Sequence, residues 1–193
     1  RPSSPAAGAS SRSSTSSPGA ATAGVVRRAR RGRMSHERVF VGLGANLGDA
    51  AATVNAALEA LDALPGTRVL ARSSLYRTAP VEAQGPDFVN AVAELRTALD
   101  PEALLRSLQA VEAQHHRQRP YPNAPRTLDL DLLLFGERAI ATPALTVPHP
   151  RLHRRAFVLE PLLELDPALG HPALGPLAAW RSGTADQPIE RLG

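Results

Sequence analysis

The stretch Arg126-Thr-Leu-Asp-Leu-Asp-Leu-Leu-Leu-Phe135, stopped by Gly136, decides how this chain is read. An apolar run of this length between a proline-rich segment and a glycine reads as a strand. Two acids interrupt it. Aspartate is a poor strand former, and Asp129 and Asp131, spaced i and i+2, project to one face at most about 7 Å apart along the chain. Carboxylates so placed repel unless a cation sits between them. Oxygen-only donors with room for water suit Mg²⁺ better than zinc, and such sites share the metal with substrate phosphates.

Working upstream, Gln118 to Pro125 is a loop stiffened by Pro120, Pro122 and Pro125, and Arg117, Arg119 and Arg126 fall within ten residues of one another. Guanidinium groups clamp phosphate oxygens bidentately. Beside a metal-binding acid pair they point to phosphoryl transfer, where catalysis is mainly positioning and charge neutralisation. Before the loop, Asp100-Pro101-Glu102 supplies an N-cap, a first-turn proline and a first-turn acid, and Leu104, Leu105, Leu108 and Val111 follow at helical spacing to about residue 116. Residues 87–98 and 67–78 alternate in polarity and read as two strands separated by a Pro/Gly-rich loop. Residues 50–64 read as an amphipathic helix ended by Pro65-Gly66, and Arg38 to Leu43 as a first strand closed by glycines.

The order is βαββαβ. It defines an α+β fold of the ferredoxin-like kind, an antiparallel sheet with helices packed on one face. Downstream come a Pro/His/Arg loop over 142–153, a helix near 154–165 that forms a C-terminal helical extension, and a weakly structured segment over 176–193.

Composition narrows the chemistry. The 193 residues contain no cysteine, which excludes disulfides, thiolate zinc, iron–sulfur clusters and cysteine nucleophiles. All 22 basic residues are arginine, so a P-loop or Schiff-base lysine is excluded too. No apolar run has the roughly 18 residues of a membrane helix, and neither a membrane nor a secretory route is expected. The formal charge of +4 suggests nucleic acid, but seven arginines and no acid lie in the Ser/Ala/Gly-rich residues 1–33. Residues 34–193 therefore carry 15 arginines against 18 acids, a net of −3, and the suggestion dissolves. That tail reads as disordered, upstream of a working start at Met34; its composition also matches an organellar transit peptide. The domain proper is expected over 34–175.

Gly42-Leu-Gly44-Ala-Asn46-Leu-Gly48 follows a strand and opens a helix, but its GxGxxxG spacing and the βαββ order argue against a dinucleotide site. The glycines license a tight turn and close backbone approach to a ligand. His149, with Arg151, Arg154 and Arg155 close by, forms a second cationic group able to reach an anion; His115 and His116 suit a helix C-terminus.

From about Val39 to Pro172 the chain resembles the 6-hydroxymethyl-7,8-dihydropterin pyrophosphokinases of folate biosynthesis. The motifs are GLGANLGD (42–49), SSLYRTAPV (73–81), GPDFVNAV (85–92), PRTLDLDLLLFG (125–136) and LTVPHPRLHRRAFVLEPL (145–162). The resemblance implies transfer of the terminal diphosphate of ATP to the pterin hydroxymethyl group, with AMP released. It implies two Mg²⁺ ions on Asp129 and Asp131, with Arg117 and Arg126 as catalytic-loop arginines. Arg119, His149 and Arg155 would contact phosphates, with Gln109, Glu112, Leu132 and Thr146 near the nucleotide. The pterin is expected between Phe88 and Phe157, with Asn90 on its polar edge and backbone near Gly44, Thr78, Ala79 and Val81 completing the slot.

This chain departs from the family pattern at Pro122-Asn123-Ala124-Pro125-Arg126, where the family often has Arg-Trp-Gly-Pro-Arg, and at Ala79, where a proline is common. The expected protein is a cytoplasmic monomer with pterin and ATP as its small-molecule partners. Two rivals are a ferredoxin-like RNA-binding module, disfavoured by only 4% aromatic residues, and another Asp-x-Asp metal-dependent nucleotide-using transferase.

Overall fold

Alternation along three strands builds this molecule, because each sends one set of side chains into one core and the other set into a second. The computed structural model describes residues 36–80, 85–115 and 127–192. In chain order it contains β1 (Glu37–Ala45), α1 (Ala50–Asp62), β2 (Thr67–Arg72), β3 (Tyr76–Thr78), β4 (Phe88–Thr97), α2 (Pro101–Gln114) and β5 (Asp129–Phe135). There follow β6 (Ile140–Ala141), β7 (Thr146–Val147), a 3-10 turn (Leu152–Arg154), α3 (Ala156–Leu165), β8 (Gly170–His171), β9 (Gly175–Pro176), a second 3-10 segment (Leu177–Thr184) and β10 (Glu190–Arg191). The expected tail, residues 1–33, lies outside the described residues. Among the described residues no helix is long and apolar enough to cross a membrane.

The main sheet is antiparallel, ordered β10-β3-β4-β1-β5, with β2 also paired to β4. Val39, Val41, Leu43 and Ala45 of β1 join Ala91, Ala93 and Leu95 of β4 in a core completed by Leu58 and Leu61 of α1 and Leu104 and Leu108 of α2. Both helices start where a side chain accepts an orphan first-turn N–H: Asp49 from Ala52 N at 2.9 Å and Asp100 from Ala103 N at 2.7 Å. The opposite face is covered as well. Phe40, Val92, Leu133 and Leu134 pack there against Val158, Leu159 and Leu162 of α3 and Leu177 of the second 3-10 segment. Helices thus lie on both faces of the sheet, where one face was expected.

The α+β architecture is the expected one, with differences in detail. The strand expected over 67–78 divides into β2 and β3. Ser73 and Ser74 interrupt it: Ser73 Oγ donates to Ser74 O at 2.8 Å, and Ser74 N and Oγ both donate to the Glu164 carboxylate of α3. The helix expected from 154 starts at 156, after the 3-10 turn. The segment from 176, expected to be weakly structured, carries a 3-10 helix and β10, because Arg191 and Glu190 find partners distant in sequence.

Glu164 ties three elements together. Besides Ser74 it accepts from Tyr76 Oη at 2.8 Å and Arg191 Nη2 at 3.1 Å. Partial burial alone would raise its pKa, but these donors and the Arg191 charge outweigh burial and hold the carboxyl below the usual range. The folded state therefore binds fewer protons here than the unfolded chain. The stabilisation is full above the unfolded pKa of about 4.3 and is lost as pH falls through the lower folded value. Glu164→Gln is expected to cost about 1–3 kcal/mol at pH 7 in urea unfolding, with a smaller difference at pH 3.5. An equal difference at both pH values would show that the charge plays no part.

Candidate active site

Among the described residues, one end of the sheet on the α3 face is left open as a cleft. The i, i+2 rule places Gly42 and Gly44 of β1, Phe88 and Asn90 of β4, and Asp129 and Asp131 of β5 on that face. The ladder then aligns them: Gly44 stands opposite Asn90 on one side and Asp129 on the other, and Gly42 opposite Asp131. β1 runs through both glycines to Ala45, two residues beyond the expected strand end at Leu43. Their lack of side chains makes the floor of a cleft of about 420 Å³. A Cβ on Gly44 would stand 3.1 Å from Asn90 Oδ1, and one on Gly42 3.4 Å from Leu133 Cδ1. Strand glycines of this kind mark close approach of a ligand to backbone.

The walls come from β3 and from the start of α3. Thr78, Ala79, Phe88 and Asn90 line one side, and Arg151, Arg154, Arg155 and Phe157 the other. Asn90 is 5% exposed, and its Nδ2 donates to Thr78 Oγ1 at 2.9 Å, so the amide is fixed before any ligand arrives. The Arg155 guanidinium lies 5.4 Å from the centre of the Phe157 ring. His149 donates its backbone N–H to Leu133 O at 2.9 Å, and its Nδ1 accepts from Arg151 N at 3.2 Å. Burial and the Arg155 charge pull the imidazole down to about 4, against a smaller opposing pull from Asp129. His149 is therefore a neutral group at pH 7.

A β-bulge completes the arrangement. Val41 pairs with Leu132 and Phe40 with Leu134, so Leu133 is the extra residue on β5. The bulge puts Leu133 and Leu134 both into the second core.

Most expected site residues within the described range converge here: Asp129, Asp131, Gly44, Thr78, Ala79, Phe88, Asn90, Arg155 and Phe157 all line the cleft. Others do not line it, His149 among them. Leu132 points into the first core, 4% exposed, on the other side of β5 from the acids. Glu112 is also 4% exposed and accepts from Leu130 N at 2.8 Å, a structural task that locks α2 to β5. Both side chains are thus held in the interior at β5. Gln109 is exposed on α2 and Thr146 exposed on β7, both outside the cleft lining. Val81, Arg117, Arg119 and Arg126 lie outside the described residues. Gly42, Arg151 and Arg154 also line the cleft; the two arginines were read only as part of a cationic group able to reach an anion, and Gly42 only as allowing a tight turn and close backbone approach.

The donor set can be tested against a metal. Asp129 and Asp131 offer oxygen only, and among the described residues no third His, Cys, Asp or Glu joins them in a cluster. Mg²⁺ is held in this way, by one or two carboxylates with phosphates and waters completing its shell, so the residues fit it.

Paired acids facing guanidiniums across a glycine floor are the arrangement of a class of enzyme that handles phosphate esters. Within that class, the chain belongs to the 7,8-dihydro-6-hydroxymethylpterin-pyrophosphokinase (HPPK) family, whose model matches residues 40–167. A Pseudomonas aeruginosa relative named 2-amino-4-hydroxy-6-hydroxymethyldihydropteridine pyrophosphokinase is 46% identical over 157 residues, covering 81% of this chain and 97% of the relative. The Pneumocystis carinii folic acid synthesis protein fol1 is 38% identical; the match covers 81% of this chain but 21% of that protein. A crystal structure of Plasmodium falciparum HPPK-DHPS with pteroate has a TM-score of 0.65 at 14% identity, covering 81% of this chain and 43% of that one. At that identity it shares the fold. The family resemblance read over 39–172 is borne out.

Proposed function

We propose that this chain transfers the terminal diphosphate of ATP to the hydroxymethyl oxygen of 6-hydroxymethyl-7,8-dihydropterin, in folate biosynthesis, and releases AMP. The observation that carries the reading is the cross-strand row Asn90–Gly44–Asp129, which sets a fixed amide and a carboxylate on either side of a bare backbone floor. A flat heterocycle fits the slot between Phe88 and Phe157, with Asn90 on its polar edge and backbone at Gly44, Thr78 and Ala79 around it; the family resemblance alone adds Val81. The phosphates lie toward Asp129, Asp131, His149 and Arg155.

Asp129 and Asp131 would hold the two Mg²⁺ ions that the family resemblance implies. Bound there, Mg²⁺ supplies charge neutralisation across the triphosphate. The pterin oxygen attacks the β-phosphorus in line; the new O–P bond forms as the bond from the β-phosphorus to the bridging oxygen breaks, and AMP keeps that oxygen. The hydroxyl proton passes to water. Arg155, with Arg154 and Arg151 beside it, offsets charge on the transferred group, and neutral His149 donates a hydrogen bond to a phosphate oxygen. From the family resemblance alone, Arg117 and Arg126 take the catalytic-loop role, Arg119 a phosphate contact, and Gln109 and Thr146 contacts to the nucleoside. The described residues that line the cleft all come from one chain, which supports a working monomer.

Incubating the chain with Mg²⁺, ATP and the pterin should consume ATP only when the pterin is present. ATP consumption unaffected by the pterin, or turnover of a nucleotide sugar in its place, would favour the Asp-x-Asp transferase alternative, which family membership does not favour.

A further inference from the structure

The helix that follows the cleft's arginine wall has no side-chain cap of its own. α3 begins at Ala156, and the preceding Arg155, in extended backbone (φ −128, ψ 115), has no side-chain acceptor for the first-turn N–H groups. The acceptor comes from far along the chain. Gln187 Oε1 accepts from Ala156 N at 2.9 Å, and Gln187 Nε2 donates to Arg154 O at 2.9 Å. One amide therefore grips the backbone on both sides of Arg155. Arg154, Arg155 and Phe157 line the cleft, whereas Gln187 does not.

Gln187 is itself held. Its N–H donates to Thr184 O at 3.0 Å, Thr184 is 3% exposed, and Arg181 of the same segment pairs with Glu160 of α3. A few residues on, β10 pairs with β3, and Leu192 N donates to Leu75 O at 2.8 Å. The same short segment thus braces both walls, since β3 carries Thr78.

We infer that Gln187 is a positioning residue for the phosphate-facing wall, setting the backbone of Arg155 and so the aim of its guanidinium; this rests on the proposed diphosphate transfer. Without the amide, water takes over both backbone groups and the Arg155 turn loses its fixed conformation. Small misplacements of groups that meet the reacting phosphates cost up to about a hundredfold in rate.

The test uses the full chain, with KM for ATP and for pterin measured alongside the thermal midpoint. Gln187→Ala is expected to raise KM for ATP about tenfold and KM for pterin less than about twofold. Gln187→Glu keeps the acceptor for Ala156 N–H and loses the donor to Arg154 O, and is expected to raise KM for ATP by only about threefold. Arg181→Ala loosens the same segment without touching that backbone, and should lower the midpoint while leaving KM for ATP unchanged. An unchanged KM for ATP in Gln187→Ala, or an equal rise in Arg181→Ala, overturns the inference. Should Gln187→Ala not fold, Gln187→Glu decides by the same comparison. A wild-type chain that forms no AMP with pterin overturns the functional reading itself, which separates the two failures.

Discussion

Asp129→Asn is expected to reduce pterin-dependent AMP formation by at least about a thousandfold while the far-UV circular dichroism stays that of the wild type. Asparagine has the same shape, so the loss isolates charge. Asp129 stands at the start of β5, opposite Gly44, half-exposed on the cleft floor and outside both cores, and its replacement leaves packing intact. What it removes is half of the carboxylate pair proposed to hold Mg²⁺. Each 1.4 kcal/mol of lost transition-state stabilisation is tenfold in rate, and charge stabilisation at a dry site supplies several such steps. Isothermal titration with Mg²⁺ and a nonhydrolysable ATP analogue should show weaker binding in the same variant. A rate within tenfold of wild type would remove Asp129 from the metal site.

Asn90→Ala is expected to raise KM for pterin about a hundredfold and KM for ATP by less than about threefold. Asn90 is nearly fully buried, its Nδ2 is held by Thr78 Oγ1, and its Oδ1 overhangs Gly44. A pocket built to hydrogen-bond a heterocycle loses more than one bond's worth when its fixed polar group goes, because the ligand's own polar edge is then buried unpaired. Steady-state kinetics with each substrate varied in turn separates the two constants. Equal effects on both would mean that Asn90 supports the cleft as a whole rather than the pterin end.

The acid pair was legible in the sequence because its chemistry depends only on the strand period: Asp129 and Asp131 at i and i+2 must share a face wherever the strand lies. Phe88 and Asn90 share a face by the same rule, but their role was legible only through the family resemblance. The α2 start was legible because Asp100 caps locally, three residues from the N–H it accepts, and α1 because its apolar residues recur at helical spacing. What stayed hidden depends on partners far away. The break at Ser73 and Ser74 is made by Glu164, 90 residues on from Ser74. Glu112 locks α2 to β5 through the backbone N–H of Leu130, a contact made across 18 residues that no local pattern announces. β10 has two residues and no periodicity, and exists because β3 offers an edge. Gly42 and Gly44 were read as a turn; only the ladder to β4 and β5 makes them a floor.

The charge pattern survives in a sharper form. With no lysine in the chain, anion binding falls to arginine, and Arg151, Arg154 and Arg155 meet that need within the described cleft. They reach it because α3 starts there.

The most direct measurement is the ³¹P NMR spectrum of the reaction mixture with Mg²⁺, ATP and 6-hydroxymethyl-7,8-dihydropterin. The account predicts AMP and a pterin diphosphate in equal amounts, with ATP lost one for one. ADP with a pterin monophosphate, or ATP left intact, would contradict it.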